Sequence, residues 1–421
     1  MASGRSSGWG RNFAAALTLI AVSFSGTVPC RAQASSRAEE VEAARRKKAA
    51  ELKPEELSTA ESRLNKIVDS HLIERAATGF HGLTMVLGGL PVGQGFALGP
   101  QYSRPDVAGG ALKLRTSARA TTGGALLLDF QLTAPKLADE AVFIDFYAAH
   151  RNLPRLDYYG QGPDSSLEDE SQYRLEDTSF DVTAGFRPFK YRFSRPFSIG
   201  VTGGYLKANV DRGNEGDDRQ AQDVFDPLTT PGLFDQTSFL RGGFFANYDY
   251  RDNPGGPRRG GFYGAKLLYY DDRDLGLRDH RRLDLEAQQY IPFWNDRRVI
   301  ALRVASTMTF ASGTSTVPFY LQSTIGGSND LRGFRPYRFY GNNAIIANAE
   351  YRFESFTGLD MAVFFDAGKV AAKRSQINFH DLEASAGFGF RFNVGNRVFL
   401  RFDIGFSHEG TRLWLTFDNV F

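Results

Sequence analysis

One cysteine, Cys30, occurs in the 421 residues, and Pro29 stands directly before it. A disulfide framework and thiol chemistry are thereby excluded, and the proline makes Cys30 a poor lipid-attachment site. Histidine is nearly as scarce: His71, His81, His150, His280, His380 and His408 are scattered, at no spacing that suits a serine or cysteine nucleophile or a metal. No catalytic residue, cofactor or metal is therefore expected. Excess charge is missing too, with 50 Lys+Arg against 48 Asp+Glu, so the composition gives no sign of a nucleic-acid partner. Long apolar runs are absent after the amino terminus, where none reaches the roughly 18 residues that would indicate a membrane-crossing helix.

What is present begins with an export pattern. Residues 1–34 carry Arg5, Arg11 and Arg31 with no acid, an apolar run from Phe13 to about Phe24, and the small-x-small end Ala32-Gln33-Ala34. This predicts a secretory signal peptide, Sec-type export and cleavage near Ala34. The apolar run is shorter than the ~20 residues a spanning anchor needs. Without those three arginines the chain keeps 47 basic residues against 48 acidic ones.

Residues 35–78 read as a short periplasmic helical arm. Glu39, Glu40 and Glu42 precede Arg45, Arg46, Lys47 and Lys48, which suits a solvated helix. After Pro54, a stripe of Leu57, Ala60, Leu64, Ile67, Val68 and Leu72 recurs at three- and four-residue steps. The stripe suits docking on a partner helix or on the domain that follows, and equally a plain tether.

From residue 79 the period becomes two. Val398, Leu400, Phe402, Ile404 and Phe406 alternate with Phe399, Arg401, Asp403 and Gly405. The chain is also rich in Phe (36), Tyr (17) and Gly (44). In an exported chain this usage points to a transmembrane β-barrel of an outer membrane, although alternation by itself also fits a soluble sandwich. Connection lengths separate the two. Long connections fall near 151–170, 212–236, 271–281, 312–342 and 371–381, and short ones near 252–258, 293–297, 355–358 and 394–397. An all-β fold of sixteen antiparallel strands over 79–421, with short periplasmic turns and long outer loops, is expected. The ending TRLWLTFDNVF puts Leu413, Leu415, Phe417 and Phe421 on one face and predicts a last residue turned to lipid.

Between the eleventh and twelfth strands lies GGSNDLRGFRPYRFYG, residues 326–341, in which Arg332, Arg335 and Arg338 are interleaved with aromatics. In the next strand Asn348, Glu350, Arg352 and Glu354 take lumenal positions, and in the one after it Asp360, Phe364 and Asp366 do. Glu350 and Asp366 thus point inward from adjacent strands. Arg332 is the cation placed to fold in and bridge them, because one guanidinium engages two carboxylates through paired hydrogen bonds. Gly333 is read as allowing a tight turn and Phe334 as packing on the wall. The alternative is an ordinary exposed loop arginine.

These residues resemble a family. LRGF (Leu331 to Phe334) resembles the [VI]RG[FY] motif in the sixth outer loop of BamA/TamA-type barrels, the bacterial surface antigen superfamily. FFDAG, Phe364 to Gly368, is similar to the family's following wall motif, and ANAEYRF, residues 347–353, to the strand that supplies the partner glutamate. YDYRDNPGGPRRG, residues 248–260, resembles the mid-barrel turn, with Asp249, Arg251 and Asp252 ahead of Pro257 and Gly260. The resemblance implies a sixth loop held inside the barrel by Arg332. It also implies help in inserting or exporting outer-membrane proteins through a weak seam between the first and last strands. Outer-membrane lipid, unfolded outer-membrane proteins and a separate periplasmic protein are the partners it suggests.

Gly82, Gly88, Gly89, Gly93, Gly95 and Pro91 around the candidate first strand would weaken its pairing, or would only relieve crowding. One feature departs from the family: residues 35–78 are too short for even one POTRA module, the periplasmic unit that receives clients. The rival expectation is a passive channel or structural barrel without POTRA modules. Acidic loop residues Asp164, Glu168, Asp169, Glu170, Glu215, Asp217 and Asp218 lack ordered ligand spacing and read as solvated faces.

Overall fold

Strict alternation satisfies a pleated strand only when its two faces meet different surroundings, and this chain meets that condition strand after strand. The computed structural model describes residues 81–91, 93–188, 197–213, 219–294, 296–311, 313–395, 397–417 and 421. The signal peptide, the helical arm and the boundary at 79 lie outside the described residues.

The strands are Leu83–Leu87 (β1), Ala97–Val107 (β2), Leu112–Thr121 (β3), Leu126–Leu137 (β4), Val142–Tyr158 (β5), Ser171–Phe186 (β6), Phe197–Asp211 (β7), Thr237–Asp249 (β8), Gly260–Asp272 (β9), His280–Phe293 (β10) and Arg298–Ala311 (β11). Two short strands follow, Ser323–Ile325 (β12) and Phe339–Gly341 (β13), which pair with each other inside one connection. The wall resumes with Asn343–Phe356 (β14), Leu359–Ala371 (β15), Glu383–Val394 (β16), Arg397–Ser407 (β17) and Gly410–Thr416 (β18). Leaving out β12 and β13, sixteen strands form one antiparallel sheet in which each pairs with its chain neighbour. The sheet is the wall of a β-barrel.

The two faces differ as a barrel in lipid requires. On β15, Val363 and Phe365 are 55% and 48% exposed, whereas Phe364 and Asp366 are 2% and 0% exposed. Apolar side chains point out and polar ones in, the reverse of a water-soluble sheet. Lumenal polar groups pair across strands: Arg241 of β8 holds Asp181 of β6 through two hydrogen bonds of 2.9 and 2.5 Å.

At the long-loop end the strands rise above this belt. β5 continues to Tyr158 although a loop is expected from 151, and a register shift between Leu153 and Leu156 absorbs Pro154. The extension is held by burial, since Leu153, Leu156 and Tyr158 pack with Tyr173, Leu233, Phe319 and Tyr340. The Tyr158 ring lies 4.8 Å from Tyr340 and 4.9 Å from Phe319. The ends of β5 and β6 and the connections β7–β8 and β11–β14 therefore meet in one apolar cap over the lumen.

Candidate functional site

The connection between β11 and β14 enters the barrel. At its tip Leu331, Arg332 and Phe334 are each 0% exposed, a depth that a loop reaches only if its polar groups find partners. Arg332 finds several. Its Nε and Nη2 donate to Asp366 at 2.8 and 2.7 Å, its backbone N–H donates to the same carboxylate at 3.1 Å, and its Nη1 donates to Glu350 at 2.9 Å. The guanidinium also lies 3.4 Å from the centre of the Phe364 ring. Burial alone would lower the Arg332 pKa; Asp366 and Glu350 outweigh it and hold the group above its ordinary value. The ion is fixed as a cation.

Sequence reasoning placed Arg332 between Glu350 and Asp366 but missed the rest of the cluster. Asp403 of β17 lies 3.7 Å from Arg332 Nη1 and pairs with Arg391 at 2.5 Å and Arg401 at 3.1 Å. Glu350 also accepts from Arg391 at 2.7 Å and Arg352 at 3.0 Å. Three carboxylates and four guanidiniums thus share one buried site. Arg391, Arg401 and Asp403 all occupy lumenal positions of alternating strands, which was the available signal.

Glycine admits the loop to the wall. A Cβ at Gly405 of β17 would lie 2.2 Å from the Arg332 carbonyl oxygen, and one at Gly333 would lie 2.6 Å from Ser385 Cβ and 2.8 Å from the Phe406 backbone. Gly333 lies in a tight turn closed by the Phe334 N–H donating to the Leu331 carbonyl at 3.1 Å, but its φ is not positive, so it is the close approach that requires glycine there. The loop backbone is then gripped by β17 and β18: Ser407 Oγ donates to the Gly333 carbonyl at 2.8 Å and Trp414 Nε1 to the Arg332 carbonyl at 2.7 Å. Phe334 packs with Ile325, Leu331, Phe339 and Val370. A Cβ at Gly368 would meet the Ile345 carbonyl at 2.8 Å, so this wall glycine also serves a close approach. Higher up, Arg335 pairs with Glu170, and Arg338 with Glu409 at 2.6 Å.

The turn between β8 and β9 reaches the same cluster from the short-turn end. Asp252 Oδ1 accepts three backbone N–H groups, from Asn253, Arg258 and Arg259, at 2.9 to 3.2 Å. Asp249 pairs with Arg251 at 2.8 Å, and Gly260 takes a positive φ of 93° that favours glycine. The turn so shaped presents Arg258 to Asp360 of β15 at 2.6 Å and the Pro257 carbonyl to Arg352 Nη1 at 3.5 Å. Arg352 in turn holds Glu350. Loop, wall and turn are therefore linked through one carboxylate.

The seam is the other feature. No ladder joins β1 to β18 among the described residues. Beside the seam the Phe96 ring, just before β2, and the Phe417 ring, just after β18, lie 5.3 Å apart. The glycines expected to weaken the first strand lie outside it: β1 covers only Leu83–Leu87, flanked by Gly82, Gly88 and Gly89, and all three have positive φ. They end the strand early instead of loosening it from within.

Leu413 and Leu415 face outward, 64% and 60% exposed. Phe421 does not join them. Its carbonyl accepts from Tyr290 Oη at 2.8 Å, and its ring lies 5.6 Å from the Arg352 guanidinium, on the lumenal side. Since β18 ends at Thr416, the alternation that placed Phe421 on the lipid face no longer governs it.

No curated protein sequence matches the chain. The fold is similar to that of BamA from Haemophilus ducreyi lacking POTRA domains 1-3, with 16% identity and a TM-score of 0.58 over 80% of this chain and 69% of that one. It is similar also to CdiB from Escherichia coli, with 13% identity and a TM-score of 0.50 over 80% of this chain and 60% of that one. A family model, the Omp85 superfamily domain, matches residues 107–412 and so takes in the inserted loop, its carboxylate partners and the mid-barrel turn; the chain belongs to the Omp85 superfamily.

Proposed function

We propose that this outer-membrane barrel assists the insertion or translocation of other outer-membrane proteins at the seam between β1 and β18. The observation that carries the reading is a seam with no ladder across it among the described residues. Internal pairs are laddered over many residues, as in the fourteen paired positions of β10 and β11, whereas β1 offers five residues and β18 seven with no ladder between them. Unpaired backbone groups on two edges recruit an incoming strand, and in lipid the drive to pair them is strong.

Unfolded outer-membrane proteins are the clients in this reading, and a separate periplasmic protein delivers them. Outer-membrane lipid surrounds the barrel, which the chain reaches by export with cleavage near Ala34. The role is not enzymatic: the buried charges are spent on holding a loop. A passive channel is the rival reading, and the loop and aromatic cap occupying the lumen weigh against it. Depletion of the protein followed by a census of other barrels in the membrane tests the proposal. Their loss is expected; an unchanged census would favour the channel or structural reading.

A further inference from the structure

On the outward face of β10, Arg281 stands above the lipid-facing Leu283 and Leu285. Its neighbours in register are Tyr269 of β9 and Phe310 of β11, and its guanidinium carbon lies 5.7 Å from the centre of the Tyr269 ring. Arg374, in the connection after β15, sits 4.1 Å from the centre of the Phe310 ring and donates to the Thr309 carbonyl at 3.3 Å. Two cations and two rings thus alternate along the rim of the apolar belt. Arg374 and Lys373 also line a cavity of about 540 Å³ together with Asn342, Asn343 and Ser375, and its lining contains no carboxylate. In the same connection Phe379 is 67% exposed.

Two nearby carboxylates have other partners. Asp271 pairs with Arg273 at 2.8 Å, and Asp279 accepts the backbone N–H of Asp272 at 2.8 Å. Among the described residues, Arg281, Lys373 and Arg374 have no carboxylate in ion-pair distance. Cations resting on aromatic faces at the edge of an apolar surface, without internal counter-ions, match one occupant: a molecule with an anionic head and a hydrocarbon tail. We propose that this rim patch binds the phosphate headgroup of a membrane lipid at Arg281, Lys373 and Arg374, its acyl chains lying over Phe310 and the belt below.

Native mass spectrometry of the detergent-solubilised barrel tests this, with phosphatidic acid and a diacylglycerol of the same acyl chains as probes. Phosphatidic acid should be retained and diacylglycerol lost. Arg281→Gln combined with Arg374→Gln should weaken retention roughly thirtyfold, from the two cations removed. The Arg281→Lys, Arg374→Lys pair should keep most of it, and Arg273→Gln, whose cation is already paired, should leave it unchanged. Equal retention of both lipids by the wild-type barrel, undiminished retention by the double glutamine variant, or displacement by millimolar inorganic phosphate would each overturn the proposal. The comparison of the two lipids on the wild-type barrel holds even if a variant fails to fold.

Discussion

Replacing Arg332 with alanine should release the inserted loop while leaving the wall intact, and the cluster's geometry sets the size of the effect. Glu350 keeps Arg352 at 3.0 Å and Arg391 at 2.7 Å, and Asp403 keeps Arg391 at 2.5 Å and Arg401 at 3.1 Å. Asp366 alone is left without a guanidinium, retaining the Asn348 amide at 2.9 Å and the backbone N–H of residue 332 at 3.1 Å. Breaking a buried pair costs ~3 to 5 kcal/mol, and with two of three carboxylates still compensated the lower end applies. About 3 kcal/mol raises the displaced population on the order of a hundredfold. Trypsin cutting after Arg338 in the detergent-solubilised barrel reads this directly, since Pro336 blocks cleavage after Arg335. Trp414 emission in a Trp294→Phe background reads it independently, because the Trp414 indole donates to the Arg332 carbonyl. Arg332→Lys should rescue only in part, since an ammonium cannot hold both carboxylates in bidentate fashion. In a double-mutant cycle, Arg332→Ala and Asp366→Ala should couple by roughly 1 kcal/mol or more. Strict additivity, with unchanged protease protection, would refute the latch.

Three further outcomes are expected. Gly405→Ala places a Cβ 2.2 Å from the Arg332 carbonyl and should expose the loop to trypsin at a cost of ~1 to 3 kcal/mol, although it touches no charge; unaltered protection would mean the loop does not rest on β17. Asp252→Ala removes the acceptor of three exposed backbone N–H groups and should lower the unfolding temperature by an amount matching ~0.5 to 1.5 kcal/mol, because water takes over part of the bonding; an unchanged transition would contradict the turn's role. Deleting residues 35–78 behind the signal should still give a barrel whose boiled and unboiled forms migrate differently in gels, and failure to refold would make the arm part of the fold.

The strand count was legible because lipid and lumen impose opposite chemistry on alternate residues, so β15 announces itself through Val363 and Phe365 against Phe364 and Asp366. The triad of Arg332, Glu350 and Asp366 was legible for the same reason, helped by the adjacency of β14 and β15. Asp403 and Arg391 were not, because a lumenal charge reveals its face but not which inserted segment it will meet. Gly405 was silent: a missing side chain reads as small until the Arg332 carbonyl is seen against it. Phe421 was misplaced because parity was carried past Thr416, where pairing stops. Gly88 and Gly89 were read as weak strand residues, whereas their positive φ ends β1 altogether.

If other barrels insert between β1 and β18, as proposed, the two edges of the seam must part during each insertion. Gly88 and Phe417 offer a staple across it, since a Cβ built on Gly88 lies 3.7 Å from Phe417 Cβ, close to the ~3.8 Å spacing of a disulfide. In a Cys30→Ser background, with Gly88→Cys alone as the control for strain at its φ of 75°, the double variant Gly88→Cys, Phe417→Cys should fold as a barrel. The decisive measurement is the amount of other outer-membrane barrels in cells that depend on the stapled protein, with and without reductant. A loss under oxidising conditions that reductant reverses is expected; normal levels with the staple demonstrably closed would rule out insertion at this seam.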